Sequence, residues 1–141
     1  MSFNLILGTY EIRLINGSTN MTNQGTVEIF YNGEWGSICD DQWYNNAAKV
    51  VCRQLGFPEI DYIYLGVDNA RFGSSTGSIL LDEVKCLGNE TSITSCKHDG
   101  WEHHNCNHSE DAGVICRKRV GMSYRILPSK NMYFINIINT L

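Results

Sequence analysis

The sequence is poor in the signatures that mark metal clusters and enzymes. None of its six cysteines sits in a CxxC pair, so the close ligand pairs of a structural zinc site are missing. No HExxH, GxGxxG or P-loop pattern occurs. Charge is sparse: only 18% of residues are Asp, Glu, Lys or Arg, which suits neither a coiled coil nor a disordered tail. The C-terminal stretch 131–141 is too short and too rich in Asn to span a bilayer, so no membrane span is expected. Residues 1–10 are apolar in part but carry no basic flank and no clear small-residue cleavage site, so a complete signal peptide is not read there. An extracellular protein with this sequence is expected to be a fragment, an incompletely read gene, or one module of a longer chain.

What is present fits one domain. There are 141 residues, 43% of them apolar, with 13 glycines, the mix of a loop-rich globule with short strands. Net charge is −4, but it is divided. Residues 1–111 hold 15 acids against 6 bases, a net of −9, and residues 112–141 hold 5 bases and no acid. An acidic body argues against nucleic-acid binding and is compatible with bound cations. The basic tail reads as a solvated linker.

Cys39, Cys52, Cys86, Cys96, Cys106 and Cys116 are even in number and widely spaced, the last four recurring every ten residues. Four Asn-X-Ser/Thr triplets begin at Asn16, Asn20, Asn89 and Asn107 and are glycosylation candidates. Together these point to disulfides and an oxidising, extracellular compartment. Six cysteines allow about 15 pairings, and spacing alone does not choose among them.

Residues 10–15 alternate as a half-buried strand does, and 17–24 read as a loop. TVEIFY (26–31), the tight-turn pair Asn32-Gly33 and EWGSIC (34–39) predict a hairpin. NAAKVVCRQL (46–55) predicts a helix capped by Asn45 or Asn46, with Ala47, Ala48, Val51, Cys52 and Leu55 on one face. Gly56 and Pro58 end it. Residues 58–78 read as a long surface loop with at most one short strand, 79–84 as a strand, and 89–96 as a short helix or turn. Residues 97–111 read as loop and 112–116 as the last core strand. Past Arg119 no clear element is predicted, although MYFINII (132–138) is apolar enough for a strand or a docked extension.

Five blocks in order carry a family resemblance: GEWGSICDDQW (33–43), AAKVVCRQLG (47–56), LDEVKC (81–86) with GNE (88–90), HNC (104–106) and HSEDAGVIC (108–116). The chain resembles the scavenger receptor cysteine-rich domain, of the six-cysteine kind, over about residues 10–117. The extra cysteine positions of the eight-cysteine kind fall near Gln24 and at Phe57. Residues 1–9 and 118–141 lie outside as extensions of unknown role. The resemblance implies an α+β fold, a curved antiparallel sheet cradling one main helix. It also implies the pairs Cys39–Cys106, Cys52–Cys116 and Cys86–Cys96. Chain-entropy estimates give about 4 kcal/mol for each long loop and about 3 for the short one.

The resemblance further implies a binding module rather than an enzyme, part of a secreted protein or of a membrane receptor's ectodomain. Its ligands are polyanions, microbial surfaces or extracellular proteins, in some relatives with calcium or magnesium. Asp40, Asp41 and Glu110 match a cation site, and a Cys39–Cys106 bond would draw them together. Converging carboxylates repel one another, and a hard divalent cation relieves this. Asp82 and Asn105 match a second, weaker oxygen site, with Glu83 nearby. Arg71 is a candidate ligand contact. His108, beside the acids, is expected to make cation binding pH-sensitive. Trp35, Trp43 and Trp101 are read as packing and Arg53 as a structural pair. The alternative is a cation-independent protein–protein interaction module, accessory to a receptor, protease or oxidase on a longer chain.

Overall fold

The computed structural model describes residues 9–17 and 22–120, and the backbone of two further strands. A strand β1 (Ile12–Ile15) lies against β2 (Gln24–Tyr31), and β2 turns into β3 (Glu34–Ile38). The predicted turn is there: Asn32 and Gly33 both have positive φ, 50° and 83°, as a two-residue hairpin requires. A helix α1 (Asn45–Gln54) follows, then β4 (Tyr62–Val67), β5 (Ser78–Leu81) and β6 (Gly113–Lys118). The backbone of β7 (Met122–Ile126) pairs with that of β8 (Met132–Asn136) in a separate two-stranded sheet.

The main sheet runs β4-β6-β2-β3-β5. Strand β2 is shared along its length: Gln24–Thr26 pair with β6 and Glu28–Tyr31 with β3, while β1 covers Thr26–Ile29 from the other edge. The sheet curves around the helix, which buries Ala47, Ala48, Val50, Val51 and Cys52 against Val27, Ile29, Ile38 and Val114. Cys52 bonds Cys116 of β6, tying helix to sheet. The bonds Cys39–Cys106 and Cys86–Cys96 complete the expected pairing. The fold is α+β.

Some local expectations are corrected. The helix is capped by Tyr44 with no side-chain bond, so neither Asn45 nor Asn46 is the cap. The Asn45 amide oxygen instead accepts from Gly66 N–H at 3.0 Å, fastening the helix start to β4. Its C-terminus closes as predicted: Gly56 (φ 94°) N–H bonds the Arg53 carbonyl and Phe57 N–H the Cys52 carbonyl, a Schellman pattern. The segment 58–78 is, as expected, mostly loop with one short strand, β4, which pairs with β6 along all six of its residues. Elements also form past Arg119, namely β7 and β8.

The sheet is not wholly antiparallel. Strands β3 and β5 run parallel, with a register shift at Ser37/Ile38. Gly36 permits the approach, because a Cβ there would stand 2.5 Å from the Ser78 carbonyl oxygen and 2.6 Å from Leu80 Cγ. Parallel strands bring their C-terminal ends together, and this places the candidate site.

Candidate functional site

Asp40 and Asp41 follow β3, and Asp82 follows β5, so the parallel pair sets them side by side. The segment entering β6 reaches the same corner: Cys39 bridges Asp111, and Asp40 N–H donates to the Glu110 carbonyl at 2.8 Å. The Cys39–Cys106 bond, closing 67 residues of chain, adds Asn105. One oxygen from each of Asp40, Asp41 and Glu110 lies within 4.8 Å of the others. Asp41 and Asp82 meet the same limit together with the sulfurs of Cys39 and Cys106. Those sulfurs are spent in the disulfide, so the carboxylates are the donors that count. Asp41 thus belongs to both groups, which the sequence had separated.

Three of the four carboxylates are held by backbone N–H groups. Asp40 Oδ2 accepts from Asn69 N–H at 2.6 Å. Glu110 Oε2 accepts from Asn107 N–H at 2.8 Å, as the return half of a capping box over the 3-10 turn His108–Glu110. Asp82, 2% exposed, accepts from Glu83 N–H at 2.6 Å. Gln42, Asn69 and Glu83 all hold positive φ around the corner (64°, 55° and 54°), a concentration of strained backbone typical of functional sites. Among the described residues no basic side chain pairs with Asp40, Asp41, Asp82 or Glu110. Burial, then Asp82, Glu110 and Asp40, raise the Asp41 pKa. Burial also raises that of Asp40, opposed by the Asn69 bond and reinforced by Asp68 and Glu110.

Asn105 lies between Asp41 and Asp82. With its amide nitrogen inward it donates to Asp41 Oδ2 and to Asp82 Oδ2, both at 3.2 Å. With its oxygen inward, three oxygen donors converge.

A second cluster, which sequence reasoning missed, lies beside the first. Asp111, 1% exposed, accepts from Ser37 Oγ at 2.7 Å, from Ser75 N–H at 2.7 Å and from His108 Nδ1 at 2.9 Å. Ser75 Oγ donates to Glu28 Oε1 at 2.6 Å, and Glu28 Oε2 pairs with Arg13 at 2.6 Å. Arg13 also lies over the Trp35 ring at 4.1 Å. The legible signal was an acid in the middle of TVEIFY, placed by register opposite Arg13.

The His108 ring is held between Asp111 and the Gly77 carbonyl oxygen, 2.7 Å from Nε2. The sequence reading that no GxSxG pattern occurs is corrected: the run Gly73-Ser74-Ser75-Thr76-Gly77 fits its bare form. Here Ser75 is buried at 4% and donates to Glu28, and the Asp111 carboxylate lies between Ser37 and His108. Neither hydroxyl donates to the imidazole, so the group is a clasp and not a nucleophile with its base.

The remaining candidates are scattered. Arg71 is exposed, 3.8 Å from Asp68. Asn16, Asn89 and Asn107 are exposed, and Asn20 lies outside the described residues. Among the described residues no histidine joins a group of three metal-binding side chains. Trp43 is core, its indole N–H on the Gly113 carbonyl at 2.9 Å, and Trp101 stacks on Tyr31 at 3.8 Å. Arg53 bonds the carbonyls of Gly88 and Glu90, as a structural pair should.

Comparison with known proteins agrees with this fold. The family described as scavenger receptor cysteine-rich domain matches residues 15–117. Macrophage receptor MARCO of Mesocricetus auratus is 49% identical over 107 residues, 76% of this chain and 20% of that protein. A scavenger receptor cysteine-rich domain superfamily protein of Patiria pectinifera is 45% identical over 113 residues, 80% of this chain and 10% of its own length. Galectin-3-binding protein of Pongo abelii is 43% identical over 122 residues, 86% of this chain and 20% of that protein. The chain therefore spans a fifth or less of these relatives. Among solved structures, the third such domain of murine neurotrypsin superposes with a TM-score of 0.67 at 47% identity, covering 76% of this chain and 95% of that one. The dimeric form of the mouse MARCO domain gives 0.61 at 44% identity, covering 72% and 93%. The chain belongs to the scavenger receptor cysteine-rich domain family.

Proposed function

We propose that this domain is an extracellular ligand-recognition module whose acidic corner binds polyanionic, microbial or protein ligands through a divalent cation. The observation that carries the reading is the convergence of Asp40, Asp41 and Glu110, with Asp82 behind Asp41, and no basic partner among the described residues. The donors are all oxygens, as calcium and magnesium prefer. Three or four carboxylates supply fewer than the roughly six to eight oxygens calcium takes, which leaves positions for water or ligand. When bound, the cation would supply the positive charge that a phosphate, sulfate or carboxylate of the ligand needs. Asp41 would anchor it from both groups, and the Asn69 and Asn107 N–H bonds would hold Asp40 and Glu110 in place. Two relatives are named as a macrophage receptor and as a galectin-3-binding protein, which supports recognition rather than catalysis.

The test is binding of a sulfated polysaccharide to the oxidised chain, with calcium, with a chelator, and with Asp41→Ala. Binding should vanish with chelator and in the variant while the folded spectrum persists. Equal binding in all three conditions would sink the cation mechanism.

The second reading is a cation-independent interaction module. Asn105 favours it, since its amide nitrogen satisfies Asp41 and Asp82 without an ion. In that case binding of a protein partner survives chelation.

A further inference from the structure

The four glycosylation triplets are equal in sequence but not in structure. Asn107 caps the 3-10 turn, its Oδ1 accepting both the N–H of Ser109, at 2.9 Å, and the Ser109 hydroxyl. The amide plane is thereby fixed. Its nitrogen has no partner among the described residues, and the side chain is exposed. Asn16 differs, because its amide nitrogen donates to the Ser74 carbonyl at 3.2 Å. A sugar on Asn107 Nδ2 breaks no hydrogen bond and leaves the cap intact, since the cap uses the oxygen. Asn107 is also next to Cys106, whose Sγ is 3.6 Å from Asp41 Oδ2, and its own N–H bonds Glu110.

We infer that Asn107 carries an N-linked glycan that screens the acidic corner, admitting ions and thin anionic chains and keeping broad surfaces off. The screening part rests on the cation-site reading above. The oligosaccharide comes from a lipid-pyrophosphate donor: the bond from Nδ2 to the anomeric carbon forms, and that carbon's bond to the pyrophosphate oxygen breaks. The lipid pyrophosphate leaves with the electron pair, and Nδ2 gives up one proton. A glycan fixed at the rim blocks approach of a flat partner by bulk, whereas an extended chain passes beneath it.

The experiment expresses the full chain in a secretory eukaryotic host and maps the glycans by mass spectrometry. Wild type is compared with Asn107→Gln and with Ser109→Ala, which removes the triplet but keeps the Asn107 cap on the Ser109 N–H. Three probes are used: calcium by calorimetry, a short sulfated oligosaccharide, and beads densely coated with the same sugar. Asn107 should be occupied. Both variants should bind beads more tightly by about tenfold, the equivalent of one recovered contact residue. In Ser109→Ala, which keeps the Asn107 cap, calcium and oligosaccharide binding should not change. An unmodified Asn107, or bead binding equal across the three proteins, overturns the inference. Failure of calcium to bind any of the proteins refutes the cation reading and the screening role with it, while the mass spectra still decide whether Asn107 is modified.

Discussion

Two sets of carboxylates sit within a few residues of each other and are treated in opposite ways. Asp111 and Glu28 are buried, and each has a basic side chain beside it, His108 and Arg13, with Ser37 and Ser75 completing their hydrogen bonds. Asp40, Asp41, Asp82 and Glu110 stand together, with backbone donors to all but Asp41 and, among the described residues, no basic side chain. The first set is closed: its carboxylates are hydrogen-bonded from within, and it clasps the 73–77 loop to β2 and to the segment entering β6. The second is left short of positive charge, and burial and mutual repulsion raise the pKa values of Asp40 and Asp41. The contrast separates carboxylates that hold the fold from carboxylates that await a partner. Removing a member of the first set should therefore damage stability, and removing a member of the second should damage binding.

The largest effect is expected at Asp111. Asp111→Ala strands the buried Ser75 N–H and Ser37 hydroxyl and should cost about 3–5 kcal/mol in denaturant unfolding. A loss no bigger than that of Asp40→Ala would erase the distinction between the sets. Arg13→Ala should cost less, about 1–3 kcal/mol, because Arg13 is half exposed and Ser75 still serves Glu28.

The pH response sharpens the comparison. Raised pKa values at Asp40 and Asp41 mean that the folded state holds protons there that the unfolded chain has released. These two groups therefore cost stability as pH rises from the ordinary carboxylate pKa through the raised values, and that cost is absent below the ordinary pKa. Cation binding needs them ionised, so calcium affinity should fall as pH drops into this window. Affinity that holds steady through the window, measured by calorimetry at stepped pH, would contradict the assignment of these carboxyls as ligands. The smallest effect belongs to Arg71, where Arg71→Ala should leave stability within about 0.5 kcal/mol.

Much of this was legible in the sequence because local rules dominate there. The Asn32-Gly33 hairpin, the apolar helix face and the Gly56 stop follow from turn and capping chemistry within a few residues. The blocks resembling a known family supplied the disulfide pairing that cysteine spacing left open. What stayed hidden depends on long-range register. The parallel alignment of β3 with β5 is what joins Asp41 to Asp82, and no local pattern announces it. Glu28 and Asp111 drew no reading because partners such as Arg13, Ser37 and Ser75 come from distant parts of the chain. The one short strand allowed within 58–78 was not placed, because a strand packed on a helix loses the polar alternation that identifies an exposed one.

The most direct test of the central claim is a calorimetric calcium titration of the oxidised chain beside Asp41→Asn, with unfolding followed in chelator. The account predicts that wild type binds calcium, that the variant does not, and that the variant without calcium is as stable as wild type or more so. No calcium binding by wild type, together with a variant destabilised in chelator, would show that these carboxylates hold the fold as Asp111 and Glu28 do.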